Sequence, residues 1–144
     1  MLDFFQKIIS FFNEKAIDYM LSGSVALSVY TLPRATRDFD FIVHLRLEDI
    51  DFMIDYFKDG YYCDQDSIND AINRKGLFNI IDYTSGFKAG FVILKDEVFR
   101  QTEFKRRRKI ELYDIPVYIV SPEDLLISKL IWIQDIQRIF KWKT

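Results

Sequence analysis

Tyr19-Met20-Leu21-Ser22-Gly23-Ser24, followed after nine intervening residues by Arg34-Ala35-Thr36-Arg37-Asp38-Phe39-Asp40-Phe41-Ile42-Val43, is the stretch on which the reading of this chain turns. Ile17 to Leu21 has the length and apolarity of a short strand and runs straight into Gly23-Ser24. Ser24 to Tyr30 then reads as a helix with Ala26, Leu27 and Tyr30 on its buried side, stopped by Pro33. Phe39 to Val43 is a second strand. Alternate side chains of a strand share a face, so Asp38 and Asp40 point one way while Phe39 and Phe41 turn into the core. Two carboxylates that close repel each other unless a cation lies between them, and Mg²⁺, a hard cation with a preference for oxygen, suits the pair. Burial strengthens the argument, because an unpaired carboxylate inside Phe39-Asp40-Phe41-Ile42-Val43 would cost several kcal/mol. Gly23-Ser24 fits a phosphate cradle: glycine admits a close approach of ligand to backbone, and the helix that follows offers N–H groups and a partial positive charge.

Working outward, Phe4, Phe5, Ile8, Ile9 and Phe12 recur at helical spacing and predict an amphipathic helix over 2–15. Glu48 to Lys58 and Asp66 to Arg74 read as further helices, closed near Gly60 and Gly76. Phe78 to Tyr83 and Lys88 to Leu94 form a predicted hairpin around Thr84-Ser85-Gly86-Phe87. A helix is expected from Asp96 to about Lys105. Short strands follow at 110–113 and 117–120, where Pro116 indicates an edge or a strand start. Ser121-Pro122-Glu123-Asp124 then opens a helix with Ser at the N-cap, Pro at the first helical position and acids in the first turn.

At 144 residues the chain is sized for one domain, 1–144, and its 49% hydrophobic and 17% aromatic content is that of a packed globular fold. A net charge of -2 gives no global attraction to nucleic acid or anionic lipid. Cys63 is alone, so no internal disulfide forms, and His44 has no second His for a zinc site. The apolar N-terminus is interrupted by Asp3, Gln6 and Lys7 and lacks the marks of a signal peptide. No apolar run approaches the roughly 20 residues of a membrane helix. A cytoplasmic protein without membrane contact is expected.

The Gly23-Ser24 to Asp38-x-Asp40 pattern, together with Gly86 to Lys95, Phe104 to Arg108 and Ser121 to Leu130, resembles the nucleotidyltransferase-fold superfamily. The likeness is to small stand-alone bacterial members related to abortive-infection and toxin–antitoxin nucleotidyltransferases. It implies an α/β fold, a mixed sheet of about four or five strands flanked by helices. It also implies Mg²⁺ as cofactor and transfer of a nucleoside monophosphate from ATP or another NTP to an acceptor such as RNA or a protein. Carried onto this chain, Asp38 and Asp40 hold metal and act in catalysis, and Gly23, Ser24, Arg34, Thr36, Arg37 and Lys88 contact nucleotide. The third carboxylate of the family falls where this chain has Gly90, and Asp82 on the partner strand is the substitute offered. Gly90 also supports a second reading, a degenerate nucleotide-binding or regulatory interaction domain. An aminoglycoside- or lincosamide-type modifying enzyme would need a second domain or subunit to cover the acceptor.

Lys105-Arg106-Arg107-Arg108-Lys109 reads as a solvated turn or, alternatively, as a polyanion clamp. Lys129 is a further phosphate candidate, and His44 reads as structural or solvated. Ile139, Phe140 and Trp142 continue an apolar stripe with Trp132 and Ile136, and a homodimer or antitoxin partner is expected on this C-terminal helix.

Overall fold

A computed structural model describes residues 1–30 and 37–140, and all of their side chains save those of Ile136, Ile139 and Phe140. The sequence expectations for Pro33, Arg34, Thr36 and Trp142, and for the side chains just named, therefore lie outside the described residues. In chain order the elements are α1 (Leu2–Glu14), β1 (Tyr19–Ser22), α2 (Gly23–Tyr30), β2 (Asp38–Val43), a 3₁₀ turn (Leu47–Asp49) and α3 (Ile50–Tyr56). They continue with β3 (Tyr61–Tyr62), α4 (Gln65–Arg74), β4 (Leu77–Asp82), β5 (Lys88–Ile93), α5 (Val98–Lys105), β6 (Arg108–Leu112), β7 (Ile115–Ile119) and α6 (Pro122–Phe140).

The strands form one mixed sheet in the order β3-β4-β5-β2-β1-β7-β6. It has seven strands rather than the four or five expected. The two-residue β3 is too short for an alternation signal. The outer pair β6 and β7 joins the core sheet through β1 at the single register Leu21 to Ile119. Pro116 lies in β7 before that register, so its missing N–H interrupts no bond to β1.

One face of the sheet is aromatic and sealed. Phe4, Phe5, Ile8, Ile9, Phe11 and Phe12 of α1 are all at most 2% exposed; Phe4, Phe5 and Phe12 pack on Tyr19, Phe39, Phe41 and Phe91, and Phe11 on Tyr56 and Phe57. Phe41 stacks on Phe91 at 5.6 Å between centroids and Phe91 on Phe78 at 5.0 Å, a ladder across β2, β5 and β4. This ladder fixes the register of the three strands, since a one-residue slip would bury Asp38 and Asp40 and expose the rings.

The predicted helix over 48–58 is a 3₁₀ turn running into α3. Asp49 explains the break: its carboxylate accepts the Arg46 N–H at 2.9 Å and tightens the entry. No helix among the described residues is long and apolar enough to cross a membrane.

Candidate active site

β1 passes into α2 without a loop, and the turn is made by Gly23 with φ of +66°, a conformation that L side chains rarely adopt. The space is as restrictive as the angle. A Cβ on Gly23 would come within 2.8 Å of the Asp40 Cβ and Cγ. Glycine is thus what allows the Asp40 side chain to lie against the first turn of α2, where the Ser24 backbone N–H donates to its carboxylate.

Register places the rest. Ser22 pairs with Asp40, Asp40 with Gly90, and Gly90 with Asn79, so a row across β1, β2, β5 and β4 lies on one face, opposite the aromatic ladder. Asp38 pairs with Lys88 one step along, and the two side chains form an ion pair at 3.9 Å. Burial, and then the charge of Asp38, push the Asp40 carboxyl above its ordinary value. Lys88, Lys129 and the Ser24 N–H pull the other way. Lys129, exposed on α6, is near enough for its charge to favour the ionised Asp40. Arg37, at the Asp38 end, lies beside the hairpin turn, with its guanidinium 6.0 Å from the Phe87 ring and its carbonyl accepting the Lys88 N–H at 2.9 Å.

Asp82 is not part of this group. It follows Phe78 and Ile80 in parity and so belongs to the aromatic face of β4. Its two oxygens accept the Thr84 N–H at 3.1 Å and the Ser85 hydroxyl at 2.7 Å, which stabilises the hairpin turn. The role of substitute third acid is therefore withdrawn for Asp82. The residue facing Asp40 across Gly90 is Asn79, which the sequence reading passed over. A polar side chain between Phe78 and Ile80, at the position that alternates away from the core, was the signal for it.

Gly90 is tightly enclosed: a Cβ there would meet the Asp40 Oδ1 at 3.2 Å and the Asn79 Oδ1 at 3.4 Å. Any side chain at 90 would therefore touch Asp40. Among the described residues no group of three His, Cys, Asp or Glu side chains could hold a metal. Asp38 and Asp40 by themselves match the way Mg²⁺ is commonly held, by one or two carboxylates with substrate phosphates completing the shell.

A cavity of about 270 Å³ extends from Ser22, Gly23 and Asp40 past Ile42, Val92 and Leu94 to Lys95, Arg100 and Glu103. At its far end Glu103, 1% exposed, accepts from Arg100 at 3.2 Å and from the Ser128 hydroxyl at 2.8 Å, tying α5 to α6. Arg100 and Glu103 were not foreseen. In sequence they are two ordinary charges of a short helix, and only packing turns Glu103 inward.

The basic run is largely spent on structure. Arg106 grips the buried Asp124 through two bonds of 3.1 and 2.6 Å, Arg107 lies between the rings of Phe104 and Tyr118 and 3.7 Å from Asp18, and Arg108 reaches Glu123 at 3.5 Å. Arg106 to Arg108 are thus neither a solvated turn nor a polyanion clamp but structural ties between α5, β6 and the rest of the fold. His44 is exposed at the end of β2, as expected.

No protein-family model matches the chain, and no curated protein matches it in sequence. Solved structures do match. A Thermotoga maritima protein provisionally named a nucleotidyltransferase superimposes with a TM-score of 0.63 at 13% identity, over 98% of this chain and 91% of its own. A lincosamide antibiotic adenylyltransferase, solved with lincomycin bound, gives 0.55 at 15% identity, over 83% of this chain and 80% of its own. The class is therefore defined by architecture: a single α/β domain with the fold of these nucleotidyltransferase structures. At such identities the likeness is one of fold, and activity must be argued from the site.

Proposed function

We propose that the chain is a Mg²⁺-dependent nucleotidyltransferase that binds a nucleoside triphosphate and passes its nucleoside monophosphate to a hydroxyl. The observation that carries this reading is Asp40 lying against the Gly23 turn, in one row with Ser22 and Gly90 and one step from Asp38. Phosphates would meet the α2 N-terminus there, with Lys88 and Arg37 on the Asp38 side supplying positive charge. Mg²⁺ held by Asp38 and Asp40 would neutralise charge on the phosphate oxygens. Arg34 and Thr36, outside the described residues, are assigned nucleotide contacts by the sequence resemblance alone. On the other side of Asp40 the cavity is apolar, with Ile42, Val92 and Leu94 as its floor, which favours a small acceptor with an apolar body. The fold of the lincosamide enzyme spans a similar length, so the shortness of this chain does not argue against such an acceptor. The kinship with abortive-infection and toxin–antitoxin members rests on the sequence resemblance alone.

In the transfer, the acceptor oxygen bonds to the α-phosphorus, the bond to the pyrophosphate leaving group breaks, and the hydroxyl proton must be taken up. Asn79 can orient a hydroxyl but cannot accept its proton. Gly90 therefore favours a second reading, in which nucleotide is bound and transfer is slow or lost.

Titration calorimetry with ATP, GTP, CTP and UTP, with and without Mg²⁺, tests the first reading. Mg²⁺-dependent binding is expected, weakened about a hundredfold or more by Asp38→Ala or Asp40→Ala because the metal would lose one of the two carboxylates proposed to hold it. Binding that ignores both substitutions sinks the proposal. The variant Gly90→Asp separates the two readings. Restoring an acid beside Asp40 and Asn79 should raise release of pyrophosphate by about a hundredfold if a missing base is the defect.

A further inference from the structure

α6 is held to the body of the protein through its first two turns and is largely exposed beyond them. Asp124 and Leu125 are buried, and Ser128 is bonded to Glu103, but Leu126, Ile127, Leu130, Ile131, Trp132 and Ile133 are 61, 40, 51, 37, 63 and 44% exposed. At 3.6 residues per turn Leu126, Ile127, Leu130 and Ile131 lie on one side of the helix with Glu123, Gln134, Gln137 and Arg138, away from Leu125 and Ser128, while Ile133 flanks that side and Trp132 lies on the reverse. Leu126, Ile127, Leu130 and Ile131 present roughly 350 Å² of apolar surface, the scale of the largest patch on a monomer. That is about half of what one partner contributes to a standard interface.

The arrangement of charge on this face singles out the occupant. Glu123 and Arg138 stand at its two ends, and the point midway between them falls between Leu130 and Ile131, near the centre of the apolar stretch. A two-fold interface must be complementary to itself. An antiparallel pair of α6 helices crossing at that point sets Glu123 of each copy beside Arg138 of the other. It also brings Leu130 onto Ile131, and Ile127 onto the aliphatic stem of Gln134. The present partners of the end charges are exposed and long, Arg108 to Glu123 at 3.5 Å and Arg138 to Asp135 at 3.5 Å, and so cost little to share.

We propose that this face of α6 pairs with the same face of a second copy of the chain, antiparallel and about a two-fold axis. The inference stands apart from the nucleotide reading and survives if that reading fails.

Sedimentation equilibrium at micromolar protein tests it. The wild type should be a dimer and Ile131→Glu a monomer with an unchanged circular dichroism spectrum, since the side chain already faces solvent. Glu123→Arg and Arg138→Glu should each weaken the dimer about tenfold, as two attractive pairs become repulsive, and the double variant should return to within about threefold of wild type. A wild-type monomer, which would leave the face to another protein or segment, overturns the proposal. So does a dimer indifferent to Ile131→Glu, or a double variant that fails to recover.

Discussion

Phe39, Phe41, Phe78 and Phe91 on one face of the sheet are at most 3% exposed, while Asp40, Asn79, Ile42 and Val92 occupy the alternate positions of the same strands and stay partly open. The two faces differ in what covers them. α1 covers the aromatic face with Phe4, Phe5 and Phe12, whereas the other face receives the N-terminus of α2 at its edge and leaves a cavity beside Asp40. The same strand residues thus serve stability on one side and an open, charged site on the other. Asp82 and Asp40 make the contrast most sharply. Both are carboxylates on the sheet, but one belongs to the aromatic face and is used up by a turn, while the other leans on a glycine beside a cavity.

If the faces divide labour in this way, substitutions on them should separate stability from ligand binding. The largest stability effect is expected for Phe91→Ala, which removes a ring stacked on both Phe41 and Phe78; urea unfolding should show a loss of about 3–5 kcal/mol. A smaller loss is expected for Asp82→Ala, about 1–2 kcal/mol for the two turn hydrogen bonds, with nucleotide binding by calorimetry unchanged. A loss of Mg²⁺-nucleotide binding in that variant would break the division.

The smallest effect has the opposite sign. Because burial and Asp38 raise the Asp40 carboxyl above its ordinary value, the ionised form opposes folding above the raised value, and the neutral form carries no such cost below the ordinary one. Asp40→Asn should therefore raise the melting temperature of the metal-free protein near neutral pH. The gain should shrink as pH falls through the raised value and vanish below the unfolded carboxylate value of about 4. Melting curves in chelator between those limits check the sign.

Much of this was legible along the chain. The α1 periodicity, the Gly23-Ser24 entry to α2, the alternation through Asp38 and Asp40, the 78–94 hairpin and the Ser121-Pro122 helix start are all local signals, and each appears within a residue or two of its expected place. The reading failed where the decisive quantity was a register or a long-range partner. Asp82 looked available because it lies on the partner strand of the 78–94 hairpin, yet strand parity sends it to the other face. Asn79 and Glu103 owe their places to pairing with β5 and packing on α6, neither of which leaves a local trace.

The sequence by itself determined which residues are apolar at strand and helix spacing, where the glycine turn falls and that two carboxylates share a face, because those follow from backbone periodicity and the steric freedom of glycine. The tertiary structure alone decided that Asp40 lies on the Gly23 turn with Gly90 and Asn79 beside it. It also decided that the arginine run is consumed by Asp124, Asp18 and Glu123, and that one face of α6 is left bare. The reason is that sheet order and helix docking are set by the summed burial of the whole core, to which no single stretch of chain holds the key.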